Sequence, residues 1–385
     1  MSERCAVVWD DEVIAYDFGP QHPLKPVRVK LTVELSRAYG ILDAPNVALH
    51  RPVHATRDEL ELVHAPEYID AVEQISLVAD RAFGNYGWGI GIGDNPAFRG
   101  MHDASALVAG GSLLAARLVH DGNVEHAFNP AGGLHHAMRD RASGFCIYDD
   151  PAIAIAWLLR GGHERIVYVD VDVHHGDGVQ AAFYDDPRVM TISLHESGEY
   201  LFPGTGFPGE TGAECTSVNV ALPPMTGDDA YREAFDDIVP PLVEAFRPSI
   251  LVTQLGCDTH ATDPLAHLAL TTRSYRHLAS SFHDLAHRVC DGRWLAVGGG
   301  GYQIYTVVPR AWTLYAAELA EVELDPSIPL SWIDTARSLG AQSPPAVLDD
   351  PEVTVFSGRL DEAREGARTA VAATKRAVFG HYGLT

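Results

Sequence analysis

Four short runs constrain what this chain of 385 residues can fold into: residues 164–178 (ERIVYVDVDVHHGDG), 189–198 (VMTISLHESG), 249–258 (SILVTQLGCD) and 293–302 (RWLAVGGGGY). Each begins as an apolar, β-branched stretch and breaks abruptly into Gly, Asp or His, and helix-length segments lie between them. Strands alternating with helices are joined most economically in parallel. The expected fold class is therefore α/β, a single domain with a central parallel β-sheet flanked by helices. Open sheets of this kind bind ligands beyond the carboxyl ends of their strands, so the Asp, His, Gly and Tyr residues that end the four runs are expected to converge.

Composition narrows the setting. With 46% apolar residues the chain can bury a large core without staples. The five cysteines (Cys5, Cys146, Cys215, Cys257, Cys290) show neither zinc-finger nor redox spacing, and an odd number argues against a secreted disulfide framework. A reducing, cytoplasmic location is the simplest expectation. The amino terminus, MSERCAVVWDDEV, lacks the basic flank and apolar stretch of an export signal, and no membrane span is expected. Asp and Glu number 52 against 28 Lys and Arg, a formal charge of -24. That excess repels nucleic acid phosphates and favours cationic partners.

The α/β alternation continues to about residue 320, which suggests a catalytic domain over residues 1–320. Residues 321–385 then read as a carboxyl-terminal helical extension packed on the same domain, with a Pro-rich passage (SPPAVLDDPE) followed by an Ala-, Arg- and Glu-rich helix. The Gly-rich passage of residues 84–96 is not set between a strand and a helix as a dinucleotide loop would be, and is expected to be a mobile surface loop.

The chemistry starts in VDVDVHHGD. Asp170, Asp172 and His174 recur at spacing two, which puts them on one face of an extended strand. Burying such groups at a strand end is costly without a cation or a hydrogen-bond network, so metal ligation is expected, the rival being a structural ion-pair network. Asp258 ends another run in the same manner and offers a third ligand. Three N and O ligands leave a position for water, whose pKa a bound metal can lower to about 7. Cys257 should instead be packed. Tandem His135 and His136 suggest proton transfer, with Asp170 and Asp177 available as orienting carboxylates. Tyr302 follows four glycines that let the backbone come close to the site, and its hydroxyl can donate to an oxyanion. Singly, a His pair or a Tyr has an ordinary packing explanation; their company is what points to catalysis.

With AGGLHHA, SGFC, DVDVHHGDGV, SLH, FPGTG, GCDTHATDP and GGGGY in this order, the chain resembles the histone deacetylase family, within the arginase/deacetylase fold, over roughly residues 10–315. YDFGPQHPLKP, GDNPAFRGMH, HESGEYLFPGTG and the carboxyl-terminal tail resemble most its bacterial acetoin-utilisation members of the AcuC type. The resemblance implies Zn2+ on Asp172, His174 and Asp258, with Fe2+ as a second candidate in the cell. It implies His136 as general base and later acid, His135 as its electrostatic neighbour, Asp170 and Asp177 as their respective partners, and Tyr302 as oxyanion donor. Substrate-binding positions implied are Phe145 and Phe202 as aromatic channel walls, Gly144 as acceptor of the amide hydrogen, Leu265, Gly300 and the rim residue Asp94. Arg28 corresponds to an arginine at an inner cavity where acetate leaves. A structural K+ would use Asp170, Asp172, His174, Ser193 and Leu194, largely through carbonyl oxygens. Departures from the pattern are Gln21 for a frequent Gly and Asp149 for a frequent Asn. His260 stands where arginase-like relatives carry a carboxylate for a second metal, which favours a single catalytic metal.

The function implied is zinc-dependent hydrolysis of acetyl-lysine side chains in proteins, an acetylated acyl-CoA synthetase being one substrate by analogy. The alternatives are a small-molecule acetylpolyamine deacetylase, a binuclear manganese ureohydrolase, which would need a carboxylate at position 260, and a non-catalytic module that binds acylated ligands, which turnover would exclude.

Overall fold

Among the described residues eight parallel strands, twice the number legible in the sequence, form one sheet: β1 (Cys5–Val8), β2 (Val47–His50), β3 (His126–Asn129), β4 (Ile166–Asp170), β5 (Val189–Glu196), β6 (Ser217–Leu222), β7 (Ile250–Gln254) and β8 (Trp294–Val297). The computed structural model describes residues 4–79, 84–91, 93–350 and 357–385. Residues 1–3 of the amino terminus, residue 92 of the Gly-rich passage and residues 351–352 of the Pro-rich passage lie outside the described residues.

Strand order is β2-β1-β3-β8-β7-β4-β5-β6. This order matters for function because β3, β8, β7 and β4 are consecutive neighbours, and they are the strands followed by GGLHH, GGGGY, LGCD and VDVHHGD. Register makes them end level: Asn129 pairs with Val297, Val297 with Gln254, and Gln254 with Asp170. Four loops spread over residues 130–302 thus leave the sheet side by side, as the rule for open α/β sheets requires.

Alternate strand residues feed two cores. Val167, Val169 and Leu251 face the layer built from the Val27–Ala38, Asp228–Phe246, Thr272–Val289 and Val308–Leu319 helices. Ile166, Tyr168 and Val252 face the Pro66–Val78, Met101–His120 and Asp150–Arg160 helices. Covering both faces explains why β4, β5 and β7 are buried along their whole length. Trp312 joins this packing to the site: its buried indole N–H donates to the Leu255 carbonyl at 2.8 Å, in the loop leading to Asp258. Truncating such a side chain to Ala costs about 3–5 kcal/mol.

The chain after residue 320 is continuous with this core. Trp332, Leu348, Ala367 and Val371 are buried in the first layer, and the Ser357–Val378 helix packs on β6 and on the Asp228–Phe246 helix, with the Thr374 hydroxyl donating to the Asn219 carbonyl at 2.6 Å. The Gly-rich passage, expected to be mobile, is anchored among its described residues: Ala142 N–H donates to the Trp88 carbonyl at 2.9 Å, Asn95 Nδ2 donates to Gly89 at 3.1 Å, and Ile90 is buried. Among the described residues no helix is long and apolar enough to cross a membrane.

Candidate metal and catalytic site

β4 ends at Asp170, so Asp172 and His174 do not alternate along a strand as their spacing suggested. Residues 171–176 bend instead, because carboxylates take over the role of ladder partners: Asp172 N–H donates to Asp170 Oδ1 at 3.1 Å and His174 N–H donates to Asp172 Oδ1 at 3.0 Å. Asp170 is thereby turned away from the other two. Its Oδ2 accepts from His135 Nδ1 and from the Tyr168 hydroxyl, each at 2.7 Å.

Asp258, from the loop after β7, closes the cluster. His174 Nδ1 lies 3.1 Å from Asp172 Oδ1 and 3.1 Å from Asp258 Oδ2, and one donor atom from each of the three residues falls within 4.8 Å of the others. The free lone pairs are held by backbone and amide donors: Val173 N–H to Asp258 Oδ1 at 2.9 Å, Gly300 N–H to Asp172 Oδ2 at 2.6 Å, and Gln254 Nε2 to the same oxygen at 2.8 Å. Gly300 must lack a side chain, since a Cβ there would sit 2.0 Å from Asp258 Oδ2.

The donor set fits a divalent ion. Burial opposes charge on all three residues, yet the hydrogen bonds and charges of Asp172 and Asp258 hold the His174 imidazole up at about 10, while burial and the neighbouring Asp172 push Asp258 up to about 7. The two buried carboxylates thus favour positive charge between them. A zinc ion, which takes N and O ligands, supplies that charge itself and releases the proton.

Beside this cluster stand two imidazoles with opposite tendencies. His136 Nδ1 donates to Asp177 Oδ1 at 2.6 Å, and the His135 and His136 rings lie 4.0 Å apart between centroids. Burial would lower His135, but Asp170 and Asp172 hold it up at about 10; burial and then the charge of His135 lower His136 to about 4. Charge on one ring disfavours charge on the other, and His136 is the one pushed toward its neutral form.

Tyr302 reaches the cluster from the β8 loop, its N–H held by Asp263 Oδ2 at 2.8 Å. Burial, followed by the charges of Asp258 and Asp172, pushes its phenol well above the usual range, so the hydroxyl keeps its proton to donate. Its ring meets Phe145 edge-on at 5.8 Å. Phe202, half-exposed, stands 5.1 Å from the His136 ring and 6.4 Å from that of His174. Gly144 and Phe145 form a left-handed turn, φ +49° and +69°, and a Cβ on Gly144 would strike His136 Cδ2 at 2.4 Å. One cavity touches His136, Asp172, His174 and Tyr302 and continues past Gly133 to Leu24 and Arg28. Arg28 is buried there and donates to the Gly301 carbonyl at 2.9 Å.

The remaining expected positions are less central. Asp94 is exposed, and its carbonyl meets His22 Nε2 at 3.1 Å, whose ring rests on Phe145 at 4.5 Å. Leu265 shares the turn of Asp263, donating to its Oδ1 at 3.0 Å. Ser193 pairs in register with Asp170, and Leu194 follows it in β5. His260 does not turn to the metal cluster: its Nε2 lies 2.9 Å from Asp350 Oδ2 and its Nδ1 3.0 Å from Thr262 Oγ1, which removes it from the ligand set. Four residues were missed by sequence reasoning. Gln254 braces Asp172, Asp263 braces Tyr302, and Tyr16 braces the Phe145 carbonyl at 2.7 Å. Asp150 accepts from the Gly133 and Leu134 N–H groups just ahead of His135.

Compared with known proteins, the chain matches the histone deacetylase domain over residues 22–319. The chain belongs to the histone deacetylase family. Acetoin utilization protein AcuC of Bacillus subtilis is 43% identical over 321 residues, 83% of this chain and 82% of that protein; its counterpart in Staphylococcus aureus strain MSSA476 is 37% identical over 355 residues, 91% and 90% of the two chains. Among solved structures, an HDAC homolog complexed with SAHA superposes with a TM-score of 0.82 and an HDAC homolog from Aquifex aeolicus with 0.80. Each is 31% identical and covers 95% of this chain and 100% of its own. Membership of the histone deacetylase family makes the chain a deacetylase, a hydrolase acting on acetylated substrates, and its fold the arginase/deacetylase fold. The family's fold also implies a Zn2+ site, for which the cluster of Asp172, His174 and Asp258 is the candidate.

Proposed function

We propose that this deacetylase removes acetyl groups from acetyl-lysine side chains of proteins. The observation that carries the reading is that Phe145 packs against Tyr302 and Phe202 against His136, beside a cavity lined by Tyr302, His136, Asp172 and His174, an apolar surround suited to the stem of an acylated lysine.

When bound, zinc supplies a Lewis acid that polarises the acetyl carbonyl and lowers the pKa of water. Asp172, His174 and Asp258 hold it. The Tyr302 hydroxyl donates to the carbonyl oxygen as negative charge develops there. His136, kept neutral and oriented by Asp177, takes the proton from the attacking water at Nε2 and returns it to the departing lysine amine. His135, held by Asp170, orders the same water without carrying that proton. The Gly144 carbonyl accepts the amide hydrogen, Gly300 and Leu265 shape the channel floor and wall, and Asp94 grips the substrate backbone at the rim. Acetate leaves along the inner cavity toward Arg28.

Further parts of the reading are a K+ held by Asp170, Asp172, His174, Ser193 and Leu194, Fe2+ as the alternative to zinc in the cell, a cytoplasmic location, and a division into a catalytic domain, residues 1–320, and a helical extension packed on it. The names of the AcuC relatives support a setting in acetoin utilisation.

The test is to offer the purified protein an acetyl-lysine peptide and N-acetylputrescine side by side and follow the free amine. The reading expects faster cleavage of the peptide; preference for N-acetylputrescine would move the function to polyamines.

A further inference from the structure

The opposite end of the sheet carries a second convergence of ligating side chains. His126 opens β3, buried, on the end of the strand remote from the catalytic loops. His283 and His287, at spacing four on the Thr272–Val289 helix, project from one face toward it. His287 Nε2 lies 3.3 Å from His126 Nε2 and 3.2 Å from His283 Nε2. Glu321, from the segment after the Val308–Leu319 helix, brings Oε1 to 3.7 Å from His283 Nε2, and one atom from each of the four residues lies within 4.8 Å of the others.

Hydrogen bonding does not account for this arrangement. A ring nitrogen carries either one proton or one lone pair, so His287 Nε2 can satisfy one neighbour and not both. A cation shared by all three nitrogens satisfies them together. The spacing agrees: with zinc–nitrogen bonds of about 2.05 Å, nitrogens at the corners of a tetrahedron stand about 3.3 Å apart. Glu321 holds a left-handed backbone conformation, φ +53°, at a helix end where glycine is the usual residue, and its other oxygen is fixed by Arg4 at 3.2 Å.

We propose that His126, His283, His287 and Glu321 form a second metal site, selective for a divalent transition-metal ion of the zinc class and separate from the catalytic cluster. Three imidazoles and one carboxylate fill a tetrahedron, leaving no open position for catalysis, so the site is structural. It ties the start of β3, the Thr272–Val289 helix and the chain after residue 320 together at one ion.

The test is zinc content by mass spectrometry of full-length protein stripped with chelator, reloaded with zinc and dialysed. The wild-type chain is expected to hold about two zinc ions, and His283→Ala/His287→Ala about one with unchanged turnover. Asp258→Ala should also hold about one, without turnover. His287→Gln, which keeps size and hydrogen bonding but removes the ligating nitrogen, guards against misfolding and must also fall to about one. A single zinc in wild type that vanishes in Asp258→Ala, or two retained in His283→Ala/His287→Ala, would overturn the proposal. The experiment stands apart from the acetyl-lysine reading, because metal content is read without substrate.

Discussion

The two ends of the sheet gather the same kinds of side chain to different effect. At the carboxyl end, two buried carboxylates and one imidazole are braced by Val173, Gly300 and Gln254, and open onto a cavity with a phenol and a neutral imidazole in reach. At the amino end, three imidazoles and a carboxylate close on one another, with His287 and Glu321 exposed to solvent. Carboxylate-rich, incomplete and buried is the description of a site that leaves a position for substrate; imidazole-rich and complete is that of a staple. Identity of the ligating residues matters less than what remains open beside them.

Removing a ligand breaks the comparison most severely. Asp258→Ala should abolish zinc binding at the carboxyl end and deacetylation with it, measured by metal content and peptide turnover; a variant with full zinc at that site would take Asp258 out of the ligand set. Tyr302→Phe should keep the metal and lose about 10² or more in kcat. Near-normal turnover would leave the phenol a packing role only. Gly300→Ala should weaken zinc binding by about 10- to 100-fold without unfolding the chain, since its Cβ must push against Asp258. Unchanged affinity in a chelator competition would mean that the loop simply shifts.

The smallest effect concerns His260, two residues beyond Asp258, which nevertheless belongs elsewhere. Its partner Asp350 also receives Arg310 Nη2 at 2.7 Å. Burial would raise Asp350, but the bond from His260 and the charge of Arg310 hold it below the ordinary carboxylate range. A carboxylate depressed in the folded state stabilises it above the unfolded pKa of about 3.9, and that contribution fades as pH falls through the folded value. Asp350→Asn should therefore lower Tm at pH 7, and its deficit against wild type should shrink below about pH 4, with zinc content unchanged. A constant deficit across that range would show that the charge of Asp350 contributes nothing.

What the sequence revealed follows from how its strand runs end. β4, β5, β7 and β8 were legible because their runs are β-branched and end in residues that do chemistry. β1, β2 and β3, four residues each, and the six-residue β6 were not legible; β8, equally short at four residues, was marked by the glycines that follow it. Asp172, His174 and Asp258 do meet in one cluster, but not by the expected geometry: carboxylate-to-backbone bonds, not strand alternation, bring the groups together. Gln254 and Asp263 left no local mark at all, because each acts on a loop that is distant in sequence, and Asp150 reaches back from the start of its helix to the loop ahead of His135. His126, His283 and His287 were invisible for the same reason. Only the sheet brings residue 126 to the helix that carries the other two.

The most direct measurement is the initial rate of acetyl-lysine peptide cleavage by chelator-stripped His283→Ala/His287→Ala protein as zinc is added back, with the second cluster already removed. The account predicts no turnover without metal and a linear rise to a plateau at about one equivalent, the stoichiometry of an open three-ligand site. Turnover that survives stripping, or a plateau only at two equivalents, would contradict a single catalytic ion held by Asp172, His174 and Asp258.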